Sequence, residues 1–270
     1  MYFFFKIYVV INLISFFIMT RTPILFWKQQ KKDEYEYFFK NYIQTFFNFI
    51  IPRIPFCNIG VINKSQIFYK NQNSEEEWYF INGICNSIEL SKRSQNSLEE
   101  IFNRKINLVY NETRSFITDL FEASIQLLIN IDTPLIKKFA NDVHSNIKKN
   151  KKIIIIAHSE GSIISNSMIN YLKRTYPNTD FNKIELYYFA NFGIHRNKFK
   201  KNNKPYIEII CNKKDTLSLL FSTQLNNKLN IDKYIILNNG YHWCCYDYFS
   251  HISSQRGLLD SKLIKYISIE

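Results

Sequence analysis

The sequence predicts an α/β fold in which helices cover a parallel sheet, preceded by an apolar N-terminal helical extension. Strand-like and helix-like segments alternate between residues 77 and 252 of the 270, and this alternation is typical of βαβ units. Four consecutive isoleucines, Ile153–Ile156, indicate a strand that is buried on both faces. Residues 1–19 are almost wholly apolar, which separates them from the rest of the chain.

Each element of this fold has its own signal in the sequence. Ser97 and Glu100 match the capping box S-x-x-E, which predicts that a helix begins there. Pro134 is tolerated in the first turn of a helix and is predicted to open one that ends at Ile147. The remaining segments carry the apolar patterns of strands or of one-sided helices. Strands are predicted at 77–81, 106–110, 153–156, 184–190, 206–211 and 234–237, and helices at 97–102, 116–128, 134–147 and 162–174.

The segment 157–161, which reads AHSEG, joins the isoleucine strand to the helix over 162–174. A Ser at such a junction lies at a helix N-terminus, where backbone N–H groups favour negative charge. The pattern matches the nucleophile elbow, usually G-x-S-x-G, with Ala157 in place of the first Gly. Small residues are needed at both positions because the strand and the helix pass very close together. An ordinary strand–helix turn at Ser159 is the alternative.

A nucleophilic Ser needs a general base and an acid that orients the base, in the chain order Ser, Asp, His. Asp215 and His242 each follow a predicted strand. Because the carboxyl ends of parallel strands share one edge of the sheet, Ser159, Asp215 and His242 are expected to converge. The alternatives are a solvated loop carboxylate for Asp215, and for His242 a turn residue or a packed neighbour of Trp243.

Other His and Asp residues are weaker candidates for these roles. His251 is the reserve base and Asp232 the reserve acid. His158 and His195 are expected to be structural. His158 precedes Ser159 in the chain, but neighbouring side chains on a strand point to opposite faces of the sheet.

Acyl transfer also needs backbone donors for the oxyanion that forms on the substrate. One candidate is the N–H of Glu160, the residue after the nucleophile. The second is expected from the loop after the strand over 77–81, where we favour the Ile84 N–H. Gly83 would let the backbone of this loop approach a substrate closely, although a simple turn at Gly83 is the alternative.

Together these motifs resemble the α/β-hydrolase family, over roughly residues 75–255. The resemblance is carried by the segments 80–84, 157–161 and 240–242 and by Asp215. It implies a doubly wound, mostly parallel sheet, with no metal and no organic cofactor. It also implies that Ser159 is the nucleophile, His242 the base and Asp215 the acid. The segments NGI and AHSEG resemble those of poorly characterised, bacterial-type lipase-like or esterase-like members more than those of any well-studied lipase.

The resemblance implies a serine hydrolase that cleaves a carboxylic ester, with a small molecule or a lipid as substrate. The aromatic N-terminal region favours an apolar acyl group. Two residues depart from the family pattern. Ala157 replaces the usual first Gly of the elbow, and the acidic Glu160 stands directly after Ser159, where many members carry Gln, Met or Leu. These departures motivate the alternative function, a catalytically silent α/β-hydrolase fold that serves as a membrane-tethered binding or interaction module.

Residues 1–58 are predicted to form an apolar and aromatic helical region before a catalytic domain over 59–270, with Pro55 near the boundary. Met1–Met19 is just long enough to span a bilayer. Basic residues between positions 21 and 32 favour a membrane anchor that leaves the catalytic domain in the cytoplasm. The alternatives are a cleaved signal peptide and a helix packed on the catalytic domain of a cytoplasmic protein.

The charge and the cysteines indicate neither a nucleic acid nor a metal as partner. The net charge is +12, but Lys and Arg are scattered and no nucleic-acid-binding motif is present, so a solvated basic surface is preferred. The 5 cysteines, at positions 57, 85, 211, 244 and 245, have neither a disulfide-framework pattern nor a metal-ligand spacing. They indicate reduced thiols.

Overall fold

A computed structural model of the chain describes the predicted catalytic region with gaps. The described residues are 65–70, 74–84, 86–112, 123, 125–126, 131–193, 199–215, 218–219, 231–238, 248–254 and 260–267. The predicted anchor Met1–Met19, the domain boundary near residue 58 and most of the helix over 116–128 lie outside them, so these stay predictions. Within the described ranges, no helix is both long enough and apolar enough to cross a membrane.

The described residues form a seven-stranded sheet with the order β1-β3-β2-β4-β5-β6-β7. The strands are β1 Gln66–Phe68, β2 Glu76–Ile81, β3 Asn107–Tyr110, β4 Lys152–His158, β5 Ile184–Phe189, β6 Tyr206–Asn212 and β7 Lys233–Leu237. β1 pairs antiparallel with β3, and every other pairing is parallel. From β2 the chain moves outward to β3, then returns to β4 on the other side of β2. The predicted doubly wound, mostly parallel sheet is therefore confirmed.

The isoleucine tract in β4 is apolar throughout because both faces of the sheet are covered. Ile153 and Ile155 belong to the core beneath two helices, α2 Pro134–Lys148 and α3 Gly161–Thr175. Ile154 and Ile156 belong to a second core on the opposite face, beneath the helix α1 Ile88–Phe102. The alternation follows from the two-residue period of a strand. Each of these side chains contributes about 1.5–3 kcal/mol through burial.

The helix boundaries confirm one sequence signal and correct another. Pro134 opens α2, as predicted, and the preceding Thr133 accepts a hydrogen bond from the Ile136 N–H. The predicted helix start at Ser97 is wrong, because α1 begins earlier, at Ile88, and is capped by the hydroxyl of Ser87. The buried face of α1 carries Ser91, Ser94 and Gln95 besides its apolar residues. These polar side chains interrupt the apolar pattern that would have shown the first two turns.

Two further short elements belong to the described fold, besides the short 3-10 helices Phe181–Lys183 and Lys262–Tyr266. The edge strand β1 was not among the predicted strands, because its three residues are too few to show an alternating pattern. A short helix, α4 Ser250–Ser253, follows Tyr248 and Phe249, which are buried in the same core as α1. Cys211 is buried in β6 and is not part of a disulfide, and its sulfur lies 2.8 Å from the Ser218 hydroxyl oxygen. The other four cysteine positions lie outside the described part of the chain.

Candidate active site

The predicted elbow is a tight junction between β4 and α3. β4 ends at His158 and α3 begins at Gly161, so the chain reverses within Ser159 and Glu160. Ser159 has φ 53°, a left-handed conformation that costs a residue other than Gly about 1–2 kcal/mol. The Ser159 N–H donates to the Phe189 carbonyl at 2.9 Å, and the Ser162 hydroxyl donates to the Ser159 carbonyl at 2.7 Å. Neighbouring elements thus hold the strained residue in place, as is common at functional sites.

Small residues flank Ser159 because the end of β2 passes against the elbow. A Cβ atom added at Gly161 would lie 2.6 Å from the Ile81 carbonyl oxygen and 3.0 Å from that of Asn82. Ala157 is fully buried and stands between Ile81 and Tyr188 in the sheet register. Gly161 is therefore required by a close backbone contact, whereas a methyl group fits at Ala157.

The loop after β2 brings Gly83 directly against the predicted nucleophile. A Cβ atom at Gly83 would lie 2.8 Å from the Ser159 Cβ and 3.1 Å from the His158 carbonyl oxygen. Ile84, whose N–H is the predicted second oxyanion donor, follows at once and is half-buried. The structure therefore brings the loop after β2 to the elbow, while the role of the Ile84 N–H as an oxyanion donor stays a prediction.

Asparagine side chains hold this loop in place. The amide nitrogen of Asn82 donates to the carbonyls of Gly83 and Asn111, each at 2.9 Å. The Asn82 side-chain oxygen accepts from the Asn111 N–H at 2.8 Å. The amide nitrogen of Asn86 donates to the carbonyls of Gly83 and Ile84, each at 3.1 Å. Both loop carbonyls are thereby fixed by side chains of the same loop.

Glu160, the acidic departure from the family pattern, is buried at 7% exposure. Its carboxylate accepts a hydrogen bond of 2.9 Å from the amide nitrogen of Asn111. Asn111 directly follows β3, which lies on the far side of β2 from the elbow. One carboxylate oxygen of Glu160 is therefore held toward the end of β3.

Asp215, the predicted acid, is not a solvated loop residue although Lys213 and Lys214 beside it are exposed. Its side chain is 2% exposed. One carboxylate oxygen accepts from the Ser218 N–H at 3.0 Å, and the other accepts from the Tyr248 hydroxyl at 2.7 Å. Burial with two fixed donors excludes the solvated alternative for Asp215.

Tyr248 connects this carboxylate to the strand that carries the elbow. Its ring meets the rings of His158 and Phe189 edge to face, at centroid distances of 6.2 and 5.7 Å. Burial, together with the neighbouring Asp215 charge, raises the pKa of Tyr248 well above its usual value, so the hydroxyl keeps its proton. No local sequence pattern marks Tyr248, because its contact with Asp215 joins residues that are distant along the chain.

The elbow, the Gly83 loop and Asp215 follow the carboxyl ends of β4, β2 and β6, and so share one edge of the sheet. The strand order reverses between β2 and β4. Open α/β sheets bind ligands in the crevice outside the carboxyl ends of the strands, at such a reversal. Ser159 and Gly83 are therefore placed where this class of fold binds its ligands.

The structure rejects the reserve acid and locates the reserve base. The reserve acid Asp232 is wrong: it accepts from the Ile207 N–H at 3.0 Å, at the amino end of β6, and so lies at the opposite edge of the sheet. The reserve base His251 lies in α4 and is half-buried. His242 and His195 lie outside the described residues, so the base assignment stays a prediction. Among the residues described, no cluster of His, Cys, Asp or Glu could hold a metal ion.

Comparison with known proteins gives similarity at the level of solved structures. No protein-family model and no curated protein matches the chain. YbtT, a type II thioesterase from the yersiniabactin NRPS/PKS biosynthetic pathway, is 8% identical over 74% of this chain and 96% of its own, with a TM-score of 0.45. Esterase PE8 is 12% identical over 71% and 96%, with a TM-score of 0.44. An esterase from Pyrobaculum calidifontis is 12% identical over 89% and 98%, with a TM-score of 0.45.

The chain's own geometry identifies its fold independently of these values. The sheet is doubly wound around β2 and β4, its first strand is antiparallel, and a left-handed Ser follows β4 at a strand–helix elbow. The mostly parallel sheet and the elbow are the features that the sequence motifs predict, whereas the antiparallel edge strand is seen only in the structure. The described part of the chain has the α/β-hydrolase fold.

Proposed function

We propose that this protein is a serine hydrolase that cleaves a carboxylic ester through an acyl-enzyme intermediate. The observation that carries the proposal is the left-handed Ser159, held in a buried strand–helix elbow with Gly83 packed against it. A non-glycine residue in this conformation needs support from the surrounding structure, and such strain clusters at active sites. An ordinary strand–helix turn would not require a residue other than Gly to take this strained conformation.

In the proposed first half-reaction, the Ser159 hydroxyl oxygen attacks the ester carbonyl carbon and its proton passes to His242. The tetrahedral oxyanion is stabilised by the N–H groups of Glu160 and Ile84. When the intermediate collapses, His242 returns the proton to the departing alcohol. In the second half-reaction, water gives a proton to His242 and attacks the acyl carbon, and on collapse His242 returns that proton to the Ser159 oxygen while the carboxylic acid leaves.

The environment of Asp215 supports its proposed role in orienting His242. A carboxylate has about four acceptor positions, and the Ser218 N–H and the Tyr248 hydroxyl use one on each oxygen. The carboxylate therefore has a fixed orientation, which suits an acid that must accept a hydrogen bond from one imidazole N–H. Such an acid would hold the ring in one tautomer and stabilise the imidazolium that forms during attack.

The contacts of Glu160 and Ala157 support an active rather than a silent site. Because Asn111 holds one Glu160 carboxylate oxygen toward β3, the backbone N–H of Glu160 can serve the oxyanion while its charge is partly engaged elsewhere. Ala157 is buried within the sheet register, so the missing first Gly of the pattern does not distort the elbow. Neither departure from the family pattern disrupts the geometry around Ser159.

The proposal is tested by labelling the full-length chain with a fluorophosphonate probe, which reacts only with an activated Ser. Ser159→Ala should abolish labelling and lower ester hydrolysis on the order of 10⁴-fold, because members of a catalytic triad act as a unit. Ser165→Ala, a buried Ser of α3 whose hydroxyl pairs with Tyr188, is the matched control and should label normally. A folded wild-type chain that does not label would favour the silent binding module.

The same assay tests the acid and the base. His242→Ala should cost nearly as much activity as Ser159→Ala, and Asp215→Asn somewhat less. His251→Ala should have little effect. An inactive His251→Ala variant together with an active His242→Ala variant would transfer the base assignment to α4.

A further inference from the structure

We propose that Tyr248 is a positioning residue for the acid of this site, holding the Asp215 carboxylate in the orientation that the base requires. The inference rests on the proposed function, since it concerns the same catalytic carboxylate. It goes further because it assigns a role to a residue that no hydrolase motif in the sequence marks.

The Asp215 carboxylate is held by one donor on each of its oxygens. The Tyr248 hydroxyl donates to one carboxylate oxygen of Asp215 at 2.7 Å, while the Ser218 N–H donates to the other at 3.0 Å. Each oxygen thus has its own donor, and together the two donors fix the rotation of the carboxylate plane. The Ser218 donor belongs to the backbone beside Asp215, whereas Tyr248 reaches it from a distant part of the chain.

The Tyr248 hydroxyl directs its proton toward Asp215. The Asn212 N–H donates to the Tyr248 hydroxyl oxygen at 3.1 Å, so this oxygen is an acceptor for β6 and its single proton is given to Asp215. The high pKa of Tyr248, caused by burial and then by the Asp215 charge, keeps that proton in place. The hydroxyl therefore acts as a fixed donor to the carboxylate.

The Tyr248 ring lies against the ends of two central strands. The side chain is fully buried and packs edge to face on His158 and Phe189, at the carboxyl ends of β4 and β5. His158 directly precedes Ser159. Tyr248 therefore spans from the acid at the end of β6 to the strand that carries the nucleophile, so it sets the position of one relative to the other.

The consequence should appear in the turnover rate rather than in substrate binding. Without the hydroxyl, one carboxylate oxygen loses its donor at 2.7 Å, so the orientation of the carboxylate toward the base is less firmly fixed. A hydrogen bond to a charged group is strong enough that its loss predicts a decrease in kcat of roughly 10-fold or more. Substrate binding does not use this contact, so KM should change less than about 2-fold.

The experiment compares Tyr248→Phe with Tyr187→Phe, using a p-nitrophenyl ester as substrate and the full-length chain. Tyr187 is a matched control: it is fully buried and its hydroxyl donates to the buried Glu185 carboxylate at 2.6 Å, within β5 rather than at the site. Tyr248→Phe should lower kcat roughly 10-fold, normalised to the folded fraction, while Tyr187→Phe should keep it within about 2-fold. Equal losses in the two variants would overturn the proposal.

A double-mutant cycle separates positioning from a general structural effect. If Tyr248 acts through Asp215, then Tyr248→Phe should change kcat by less than about 2-fold in an Asp215→Ala background. The same loss with and without Asp215 would overturn the inference. Activity that survives Ser159→Ala would overturn the proposed function instead, and inactive Ser159→Ala and Asp215→Ala variants beside a fully active Tyr248→Phe would overturn the inference alone.

A second variant covers the case in which Tyr248→Phe does not fold. Trifluorotyrosine at position 248 changes the donor strength of the phenol at nearly constant volume. Its kcat should differ from that of the wild type by more than about 2-fold, and an unchanged kcat would overturn the inference.

Discussion

Gly161→Ala tests the close approach of α3 and β2 that shapes the elbow. At a helical position that can accept a methyl group, replacing Gly by Ala stabilises a protein by about 0.4–1 kcal/mol, because Ala restricts the unfolded chain. Here the added Cβ would lie 2.6 Å from the Ile81 carbonyl oxygen and 3.0 Å from that of Asn82. Both oxygens belong to the backbone at the end of β2, so neither can rotate away as a side chain would.

The clash with β2 should outweigh the gain from restricting the unfolded chain, so Gly161→Ala should destabilise the protein. An ordinary Cβ contact is 3.4 Å or longer, so β2 and α3 would have to separate by nearly 1 Å, and overpacking of this kind costs about 1–3 kcal/mol. After subtracting the gain from the restricted unfolded chain, we expect the free energy of unfolding to fall by about 1–2 kcal/mol. For a domain of this size, that loss corresponds to a decrease in Tm of roughly 2–8 °C.

The assay is urea unfolding of the full-length chain followed by circular dichroism. Ser145 lies at an exposed position in α2, so Ser145→Ala and Ser145→Gly measure the preference for Ala over Gly without a clash. That pair should favour Ala by about 1 kcal/mol. If Gly161→Ala is as stable as the wild type, or is stabilised as the Ser145 pair predicts, the close contact with β2 is wrong.

Three further predictions concern the strained nucleophile, the loop beside it and a buried carboxylate. Ser159→Gly should be more stable than Ser159→Ala by about 0.5–1 kcal/mol, because φ 53° suits Gly; equal unfolding midpoints would argue against the strain. Gly83→Ala should slow fluorophosphonate labelling on the order of 10²-fold, since its methyl group would lie 2.8 Å from the Ser159 Cβ; an unchanged rate would separate this loop from catalysis. Burial raises the pKa of Glu185, but hydrogen bonds from Lys152, Lys262 and two tyrosines outweigh it and lower the pKa from 4.5. The stability from Glu185 should therefore be complete above about pH 4.5 and disappear as the pH falls through the lower folded-state pKa. Glu185→Gln should flatten this part of the measured stability curve, and an unchanged slope would contradict the assignment.

The mostly parallel sheet covered by helices could be predicted because long apolar strands alternate with helices along the chain. Ile153–Ile156 is unambiguous, since a continuous run of β-branched residues is typical of a strand that is covered on both faces. The start of α1 could not be located, because Ser91, Ser94 and Gln95 lie on its buried face, and Gln95 is satisfied there by the Ile106 carbonyl. Such a polar contact forms only in the folded chain, so local periodicity cannot reveal it.

The site was predictable where its chemistry depends on local chain geometry. The elbow around Ser159 follows from a strand, a turn and a helix that are adjacent in sequence. The burial of Asp215 was not predictable, because its neighbours Lys213 and Lys214 are typical of a solvated loop. Its environment is set by Tyr248, which is distant along the chain, and contacts of this kind arise from tertiary packing alone.

The Asn82–Gly83 pair has a consequence for the chemical ageing of the protein. Asn followed by Gly is the pair most prone to lose its side-chain amide, because the unhindered Gly nitrogen can attack the side-chain carbonyl and form a cyclic imide. In the fold, Asn82 is buried and its amide nitrogen donates to two carbonyls, which hold the side chain away from that attack. Unfolding removes the protection, and an aspartate in place of Asn82 could no longer donate to the Gly83 carbonyl. Inactivation by prolonged heat should therefore become irreversible through a covalent change beside Ser159, even where refolding itself succeeds.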